Sequence, residues 1–281
     1  MAVASDTPEL HVIRPRTRWV DLGLRELWRS RELLYFLTVR DLKVRYKQTF
    51  LGVFWAVLQP IMYMIVFTLF FGRLAGLYTP GQKYPALTIT GSVIWLFFAN
   101  SVTLSSNSLV GSANLITKVY FPRLLSAASP VIAGLVDLAL GCIVMLGIMT
   151  AYGYVPTWRI AVAPLCVLLA MGAALGVGAW LAALNVKYRD VRFVIPFLMQ
   201  LWLFASAVVY SFQALHLHEP WRTIYWINPM ATAVEVWRWS LLGGPHPTYG
   251  QVGLGALSGI VVLVAGVVYF RRKEKELADI V

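Results

Sequence analysis

Long apolar stretches separated by short polar segments make up most of the chain. A bilayer hydrocarbon core of about 30 Å requires about 20 apolar residues in helical form. Stretches of that length occupy residues 50–71, 86–109, 124–152, 160–184, 193–212 and 251–270. Soluble helices keep a polar face, and these stretches mostly do not. The pattern therefore predicts an all-α polytopic membrane protein with six transmembrane helices.

Residues 19–47 have a different pattern, in which apolar side chains recur among arginine, glutamate and lysine. This pattern predicts an N-terminal amphipathic helix, either interfacial, in the inner headgroup layer, or soluble and packed on cytoplasmic loops. The interfacial alternative is favoured because the segment leads directly into a span. We therefore divide the chain into a cytoplasmic N-terminus, 1–49, and a single six-span domain with a short cytoplasmic tail, 50–281.

The segment before the last span, 213–249, is rich in aromatic residues yet interrupted. Asn228-Pro229 and Gly243-Gly244-Pro245 break any long helix there. The segment is too apolar for a free loop and too broken to span, so we expect two short re-entrant or interfacial helices on the outer side.

Lysine and arginine indicate orientation, because they concentrate in cytoplasmic loops. With the N-terminus inside, 14 of them lie near the inner ends of the spans and 5 lie on outer segments. Both termini are therefore predicted to be cytoplasmic. The net charge of +11 fits contact with anionic membrane lipids, so no nucleic-acid partner is expected.

Residues 114–123 form a mixed-polarity segment between two membrane-length stretches. The sequence contains no Gly-x-x-x-x-Gly-Lys-Ser/Thr loop to cradle nucleotide phosphates. We therefore expect that the chain is not an enzyme and holds no cofactor of its own. A cytoplasmic projection without a nucleotide site suggests that a separate partner subunit binds ATP and Mg.

Polar groups inside the spans allow two interpretations each. Asp137 is either part of a proton relay or, as we favour, a hydrogen-bonded packing residue. Asn100, Thr103 and Asn107 share one face of the second span. They either make helix–helix hydrogen bonds or line a hydrated pathway, and the sequence favours neither interpretation over the other.

Aromatic side chains follow one face of the first span and one face of the fifth. The residues concerned, with one glutamine, are Tyr63, Phe67, Phe70, Phe197, Gln200 and Phe204. Such a stripe usually faces lipid or core, but aromatic rings also stack on the apolar faces of sugars. His216 and His218 beside Glu219 fit an exposed loop better than a metal site, so no metal is expected.

A set of short motifs recurs in a characteristic order from residue 26 onward. They are Arg40 to Lys47, Leu51-Gly52, Trp55, Gln59-Pro60, Asn114 to Arg123, Arg189-Asp190-Val191, Asn228-Pro229-Met230 with Glu235 and Arg238, and Glu276, Ala278 and Asp279. In order and spacing they resemble the type-2 ABC export permeases, and within these the polysaccharide and O-antigen exporters. The chain departs from that pattern at Ala207 and Ser211, where the family often has proline, which leaves the shape of the fifth span open.

The resemblance implies a bacterial inner-membrane homodimer that works with two copies of an ATP-binding subunit and moves a lipid-linked glycan. The residues expected to dock the ATPase are Leu115, Ile116, Lys118, Tyr120, Phe121, Pro122 and Arg123. Those expected to attract the lipid pyrophosphate are Arg40, Lys43, Arg45 and Lys47. The glycan would then pass between the first and fifth spans. Other cargo for the same machinery, a stand-alone carrier and a membrane glycosyltransferase using Glu219 and Glu235 are the alternatives.

Overall fold

The computed structural model describes residues 29–47, 52–74, 83–112, 121–212 and 218–280, with side chains described up to residue 274. This part of the chain contains helices and turns and no strand. The helices are α1 Arg31–Lys47, α2 Gly52–Phe67, α3 Tyr84–Gly111, α4 Leu124–Ala151, α5 Ala163–Lys187, α6 Val191–Ala205, α7 Trp221–Ile227, α8 Pro229–Leu242 and α9 Tyr249–Ile280. The predicted all-α class is confirmed.

Five helical segments are long and apolar enough to cross a membrane. They are Gly52–Leu74, Tyr84–Gly111, Leu124–Ala151, Trp158–Lys187 and Tyr249–Glu274. The first combines α2 with a π-helical extension, Thr68–Leu74, and the fourth begins with a 3₁₀ turn, Trp158–Val162, before α5. Five of the six predicted spans therefore exist as membrane-length helices.

The predicted fifth span is wrong in extent. α6 has 15 residues and ends at Ala205 instead of continuing to residue 212. At 1.5 Å per residue it is about 22 Å long, shorter than a hydrocarbon core. The chain leaves the helix because Ala207 has a positive φ of 49°. The helix therefore ends here without the family's proline.

The centre of the bundle is α3, whose Trp95 and Phe98 are fully buried. α4 and α5 pack on α3, and α9 packs on α5. The α5–α9 contact is close because Gly176 faces Gly266, and a Cβ on either glycine would overlap backbone of the other helix. By contrast, α2 buries only Pro60 and lies on the outside of the chain.

The described part of the segment 213–249, residues 218–249, contains two short helices, α7 and α8, separated at Asn228-Pro229. Their predicted re-entrant or interfacial position stays a prediction. Asn228 caps α8, since its side-chain oxygen accepts a hydrogen bond from the Met230 amide at 3.0 Å. α8 ends before Gly243, which has a φ of 76° that favours glycine. α8 is mostly buried against α3, α5 and α9.

The N-terminal helix α1 lies along the first half of α4. Its Leu37 packs with Phe121 and Leu125, where α4 begins. Farther along, the Ser129 hydroxyl donates to Asp41 at 2.6 Å. Residues 31–47 are thus helical as predicted, and residues 19–28 lie outside the described part of the chain. Whether α1 also rests in the headgroup layer stays a prediction.

Candidate functional site

Two cavities of about 340 Å³ each flank α2 and α3. The first, which we call the α4-side cavity, is lined by Arg45, Gly52, Trp55, Ala56, Gln59, Pro60, Val93, Leu96, Phe97, Asn100, Thr103, Leu104, Asp137, Leu138 and Gly141. The second, the α6-side cavity, is lined by Tyr63, Phe67, Trp95, Ala99, Pro196, Met199, Gln200, Leu203 and Phe204. Both volumes lie in the range of small-molecule sites, about 300–1,000 Å³.

The α6-side cavity brings together four of the residues predicted for the aromatic track. Tyr63 and Phe67 contribute from α2, and Gln200 and Phe204 from α6. The Tyr63 and Phe67 rings are 5.4 Å apart, edge to face. Helices far apart in the chain thus place aromatic rings on opposite walls of one cavity.

Two other predicted track residues lie outside both cavities. Phe70 is 58% exposed and Phe197 is 62% exposed. Their rings point away from the bundle, where lipid or a second chain would cover them. Their role in a pathway stays a prediction.

The polar face of the second span is divided between two environments. Asn100 and Thr103 line the α4-side cavity. Asn107 instead accepts a hydrogen bond from the Asn185 amide at 3.1 Å and donates to the Thr103 carbonyl at 2.7 Å. Asn107 therefore makes the helix–helix contact that one interpretation proposed, whereas Asn100 and Thr103 face open space.

Asp137 holds the end of α1 against α4. One carboxylate oxygen accepts from Arg45 Nη1 and the other from the Tyr46 hydroxyl. Burial and the neighbouring carboxylate raise the pKa of the Tyr46 phenol, so the phenol stays protonated and donates. This geometry agrees with the packing interpretation of Asp137.

Of the four residues expected to meet a lipid pyrophosphate, the two arginines form ion pairs with aspartates and the two lysines are exposed. Arg45 is paired with Asp137, and Arg40 forms an ion pair with Asp41 at 2.8 Å. Lys43 and Lys47 are exposed on α1, four residues apart. Attraction of an anion therefore rests most directly on the two lysines, while the two arginines help to place α1.

The predicted ATPase-docking segment is described only at its end. Leu115, Ile116, Lys118 and Tyr120 lie outside the described residues, so their role stays a prediction. Phe121 and Pro122 are buried, with the Phe121 ring packed against Leu37 and Leu125. The Arg123 amide donates to the Glu274 carboxylate at 3.1 Å. The segment is thus attached both to α1 and to the end of α9.

A buried arginine that sequence reasoning counted as an outer-loop charge organises the turn after α6. Arg238 is 4% exposed and donates to the carbonyls of Ala207, at 2.7 Å, Tyr210, at 2.8 Å, and Val208. It also forms an ion pair with Glu235 at 3.4 Å. The backbone carbonyls of the turn after α6 therefore accept hydrogen bonds from the Arg238 side chain. Buried backbone groups require such a partner when they have none within a helix.

Glu235 completes this arrangement, which we call the Arg238 clamp. Its carboxylate accepts from the Phe212 amide at 3.2 Å. Burial raises the pKa of the Glu235 carboxyl, and the charge of Arg238 opposes that rise. The three-residue spacing of Glu235 and Arg238 on one helix was the available sequence signal, but it does not reveal the carbonyls that Arg238 meets.

Both candidate glycosyltransferase carboxylates make hydrogen bonds near their own positions. Glu235 lies within the clamp, and Glu219 accepts from the Thr223 hydroxyl at 2.7 Å. Neither residue lines the α4-side or the α6-side cavity. His216 lies outside the described residues, so its pairing with His218 is untested.

The fold and these cavities together define a multi-pass helical membrane protein with a polar and aromatic interior. The sequence pattern of the ABC-2 type transporter family matches residues 32–242, and the chain belongs to this family. The match includes α1 and ends with α8, so the helix that lies along α4 and the Arg238 clamp are both inside it.

Similar proteins cover nearly the whole chain. The O-antigen export system permease protein RfbA of Myxococcus xanthus is 30% identical over 256 residues, which is 91% of this chain and 98% of the relative. A protein of the same name from Klebsiella pneumoniae is 27% identical, over 89% of this chain and 95% of the relative. The polysialic acid transport protein KpsM of Escherichia coli is 21% identical, over 86% of this chain and 93% of the relative.

Proposed function

We propose that this chain is the permease subunit of an ATP-driven exporter that moves a lipid-linked, O-antigen-like polysaccharide from the cytoplasmic to the outer side of the bacterial inner membrane. The observation that carries the proposal is similarity to two export permeases named for O-antigen over about nine-tenths of the chain. The aromatic α6-side cavity supports it, since flat rings suit sugar faces.

The working assembly in this proposal is a homodimer of the permease with two ATP-binding subunits, which hold ATP and Mg. The exposed apolar side chains of α2 and α6 support a dimer whose shared conduit runs along the two-fold axis. α6 then serves as a short fifth crossing, α7 and α8 form an outer re-entrant pair, and both termini are cytoplasmic. The clamp supports this arrangement, because irregular backbone at membrane depth must be covered by protein.

The proposed route begins at α1. Lys43 and Lys47 attract the pyrophosphate of the lipid-linked glycan. The glycan passes along α2 and slides over Tyr63, Phe67 and Phe204. Aromatic rings offer area without many fixed hydrogen bonds, so a chain of repeating sugars moves without becoming trapped.

The proposed drive comes from the partner subunit through residues 115–123. Phe121 touches Leu37 of α1, and the Arg123 amide touches Glu274 of α9. A displacement of this segment on ATP binding would therefore act on both the N-terminal helix α1 and the C-terminal helix α9. The separate subunit supplies the free energy, and the permease supplies the route.

A reconstitution experiment tests the proposal. The chain is co-expressed with a candidate ATP-binding subunit from the same organism, and export of glycan is measured in proteoliposomes. Tyr63→Ala with Phe67→Ala is expected to impair export while assembly is retained. Tyr249→Ala is the control, because Tyr249 is an exposed aromatic residue of α9 that lines neither cavity. Export by the permease alone, without the ATPase, would contradict the proposal.

A further inference from the structure

We infer that the α4-side cavity is a binding site for one uncharged sugar ring of the exported glycan, with Asp137 acting as the positioning residue for Arg45. This inference rests on the proposed function and deepens it, because it assigns a substrate class to a second cavity. It makes the α4-side cavity the recognition site and leaves the α6-side cavity as the sliding track.

The lining of the α4-side cavity has the chemistry that sugar hydroxyls require. Gln59 and Asn100 each offer an amide with donors and an acceptor, and Thr103 offers its hydroxyl oxygen as an acceptor, because it donates its hydrogen to the Ala99 carbonyl at 2.8 Å. Pro60 adds a further acceptor, because its missing N–H removes the helical partner of the Ala56 carbonyl, and both residues line the cavity. A sugar hydroxyl both donates and accepts, so it can use every one of these groups.

Aromatic rings supply the other half of the recognition. Trp55 lines the cavity from α2 and Phe97 lines it from α3. Ring faces of this kind pack on the C–H faces of a pyranose, whereas the amides meet its edge. The volume of about 340 Å³ suits a small ligand rather than a folded oligosaccharide.

The charge of the cavity selects an uncharged ring over a phosphate. Among the described residues that line it, Arg45 and Asp137 are the charged ones, and they form an ion pair with one another. Their charges cancel, so a phosphate would gain no net attraction and would lie near a carboxylate. The carboxylate uses one bond at each oxygen, to Arg45 and Tyr46, and each oxygen keeps a lone pair for a sugar hydroxyl.

A third cavity shows that this lining is not general for the protein. It has a volume of about 690 Å³ and lies between α5, α6 and α9. Its walls are almost entirely apolar, including Leu198, Leu201 and Val262. A lining suited to polar hydroxyls is therefore found in the cavity beside α1 and not in this larger apolar cavity.

Site-directed photo-crosslinking tests the inference in the complete permease–ATPase complex in cells that make the glycan with a tritium-labelled sugar. The photoreactive residue p-benzoylphenylalanine replaces Leu96, which lines the cavity, or Val136, which neighbours Asp137 and does not line it. We expect label on the permease from position 96 and little from position 136. Equal label at both positions, or none at 96 while export continues, would overturn the inference.

Competition defines the class of ligand. Methyl hexosides are expected to reduce labelling at position 96, and glucose 1-phosphate is expected to have little effect. Asp137→Asn removes the negative charge beside Arg45, so glucose 1-phosphate should then compete as well. If Asp137 had only a structural role, the Asp137→Asn substitution would leave the preference for methyl hexosides over glucose 1-phosphate unchanged. Stronger competition by glucose 1-phosphate than by methyl hexosides in the unaltered protein would overturn the assignment of an uncharged ring.

Affinity gives an independent measure in the purified complex, with lipid-linked glycan extracted from the source cells as the probe. Gln59→Met and Asn100→Leu each remove about one hydrogen bond, so the glycan concentration for half-maximal ATPase stimulation should rise about threefold to tenfold. Gln251→Met, outside the cavity, is the control. Unchanged half-maximal concentrations would overturn the inference while leaving the proposed function intact. If glycan did not stimulate ATP hydrolysis in the unaltered complex, both this inference and the proposed function would be contradicted.

Discussion

The Arg238 clamp provides a prediction whose magnitude follows from the structure. Arg238→Met keeps the approximate length of the side chain and removes its charge and every donor. The carbonyls of Ala207, Val208 and Tyr210 lose a buried partner, and Glu235 loses its counter-ion. The substitution therefore acts on the turn that follows α6, and the residues that lose these contacts line neither cavity.

The expected loss is large because both effects occur in a buried site. An unsatisfied buried acceptor costs about 1–3 kcal/mol, and one unpaired member of a buried ion pair costs about 3–5 kcal/mol. Contacts in one network do not add, so we expect about 4–6 kcal/mol in total. This corresponds to a fall of about 10 °C in the midpoint of thermal unfolding.

The assay is thermal unfolding of the permease in nanodiscs at several pH values. Without Arg238, the pKa of Glu235 rises further, because the opposing positive charge is gone. A raised folded-state pKa favours the protonated form, so the variant regains stability as the pH falls and loses it as the pH rises. The difference in midpoint from wild type should therefore shrink between pH 8 and pH 5.

The double variant Arg238→Met with Glu235→Gln serves as the control for charge. It should recover the part of the loss that comes from the unpaired carboxylate and leave the loss from the carbonyls. Hydrogen exchange of residues 206–212 should increase in both variants. A midpoint for Arg238→Met within about 2 °C of wild type at pH 8 would refute the reasoning.

Two further predictions concern a glycine beside the clamp and the proposed ATPase-docking segment. Gly91→Ala should destabilise the protein, because the added Cβ would overlap the Arg238 guanidinium and the Val208 carbonyl. Gly111→Ala, whose added Cβ would have no described atom within 4 Å, should be neutral or slightly stabilising in the same unfolding assay. Phe121→Ala with Tyr120→Ala should abolish glycan-stimulated ATP hydrolysis in the purified complex; unchanged stimulation would exclude a coupling role for this segment.

Membrane-length helices could be predicted from the sequence because length and apolarity are local properties. Residues 124–152 were predicted as a span and form α4, Leu124–Ala151. The breaks at Asn228-Pro229 and Gly243 were also readable, since proline fixes its own φ and lacks an N–H donor, whereas glycine permits the positive φ at which a helix ends. The predicted fifth span was too long, because residues 206–212 are apolar and have no proline.

The candidate site was predictable in its components and less so in its arrangement. Tyr63, Phe67 and Phe204 were recognised as faces of two spans, and they do line one cavity. Arg45 was read as an anion-binding residue, whereas it forms an ion pair with Asp137. Local sequence periodicity could not predict this contact, because Arg45 on α1 and Asp137 in the middle of α4 are distant in the chain.

The sequence alone determined the helical membrane class, the places where most helices begin and end, and the lack of a phosphate-binding loop, because each of these depends on neighbouring residues. Only the tertiary structure decided where α6 ends, which polar residues of α3 face a cavity and which charges are neutralised. These depend on partners distant in the chain, such as Arg238 for a carbonyl 31 residues earlier and Asp137 for an arginine 92 residues earlier.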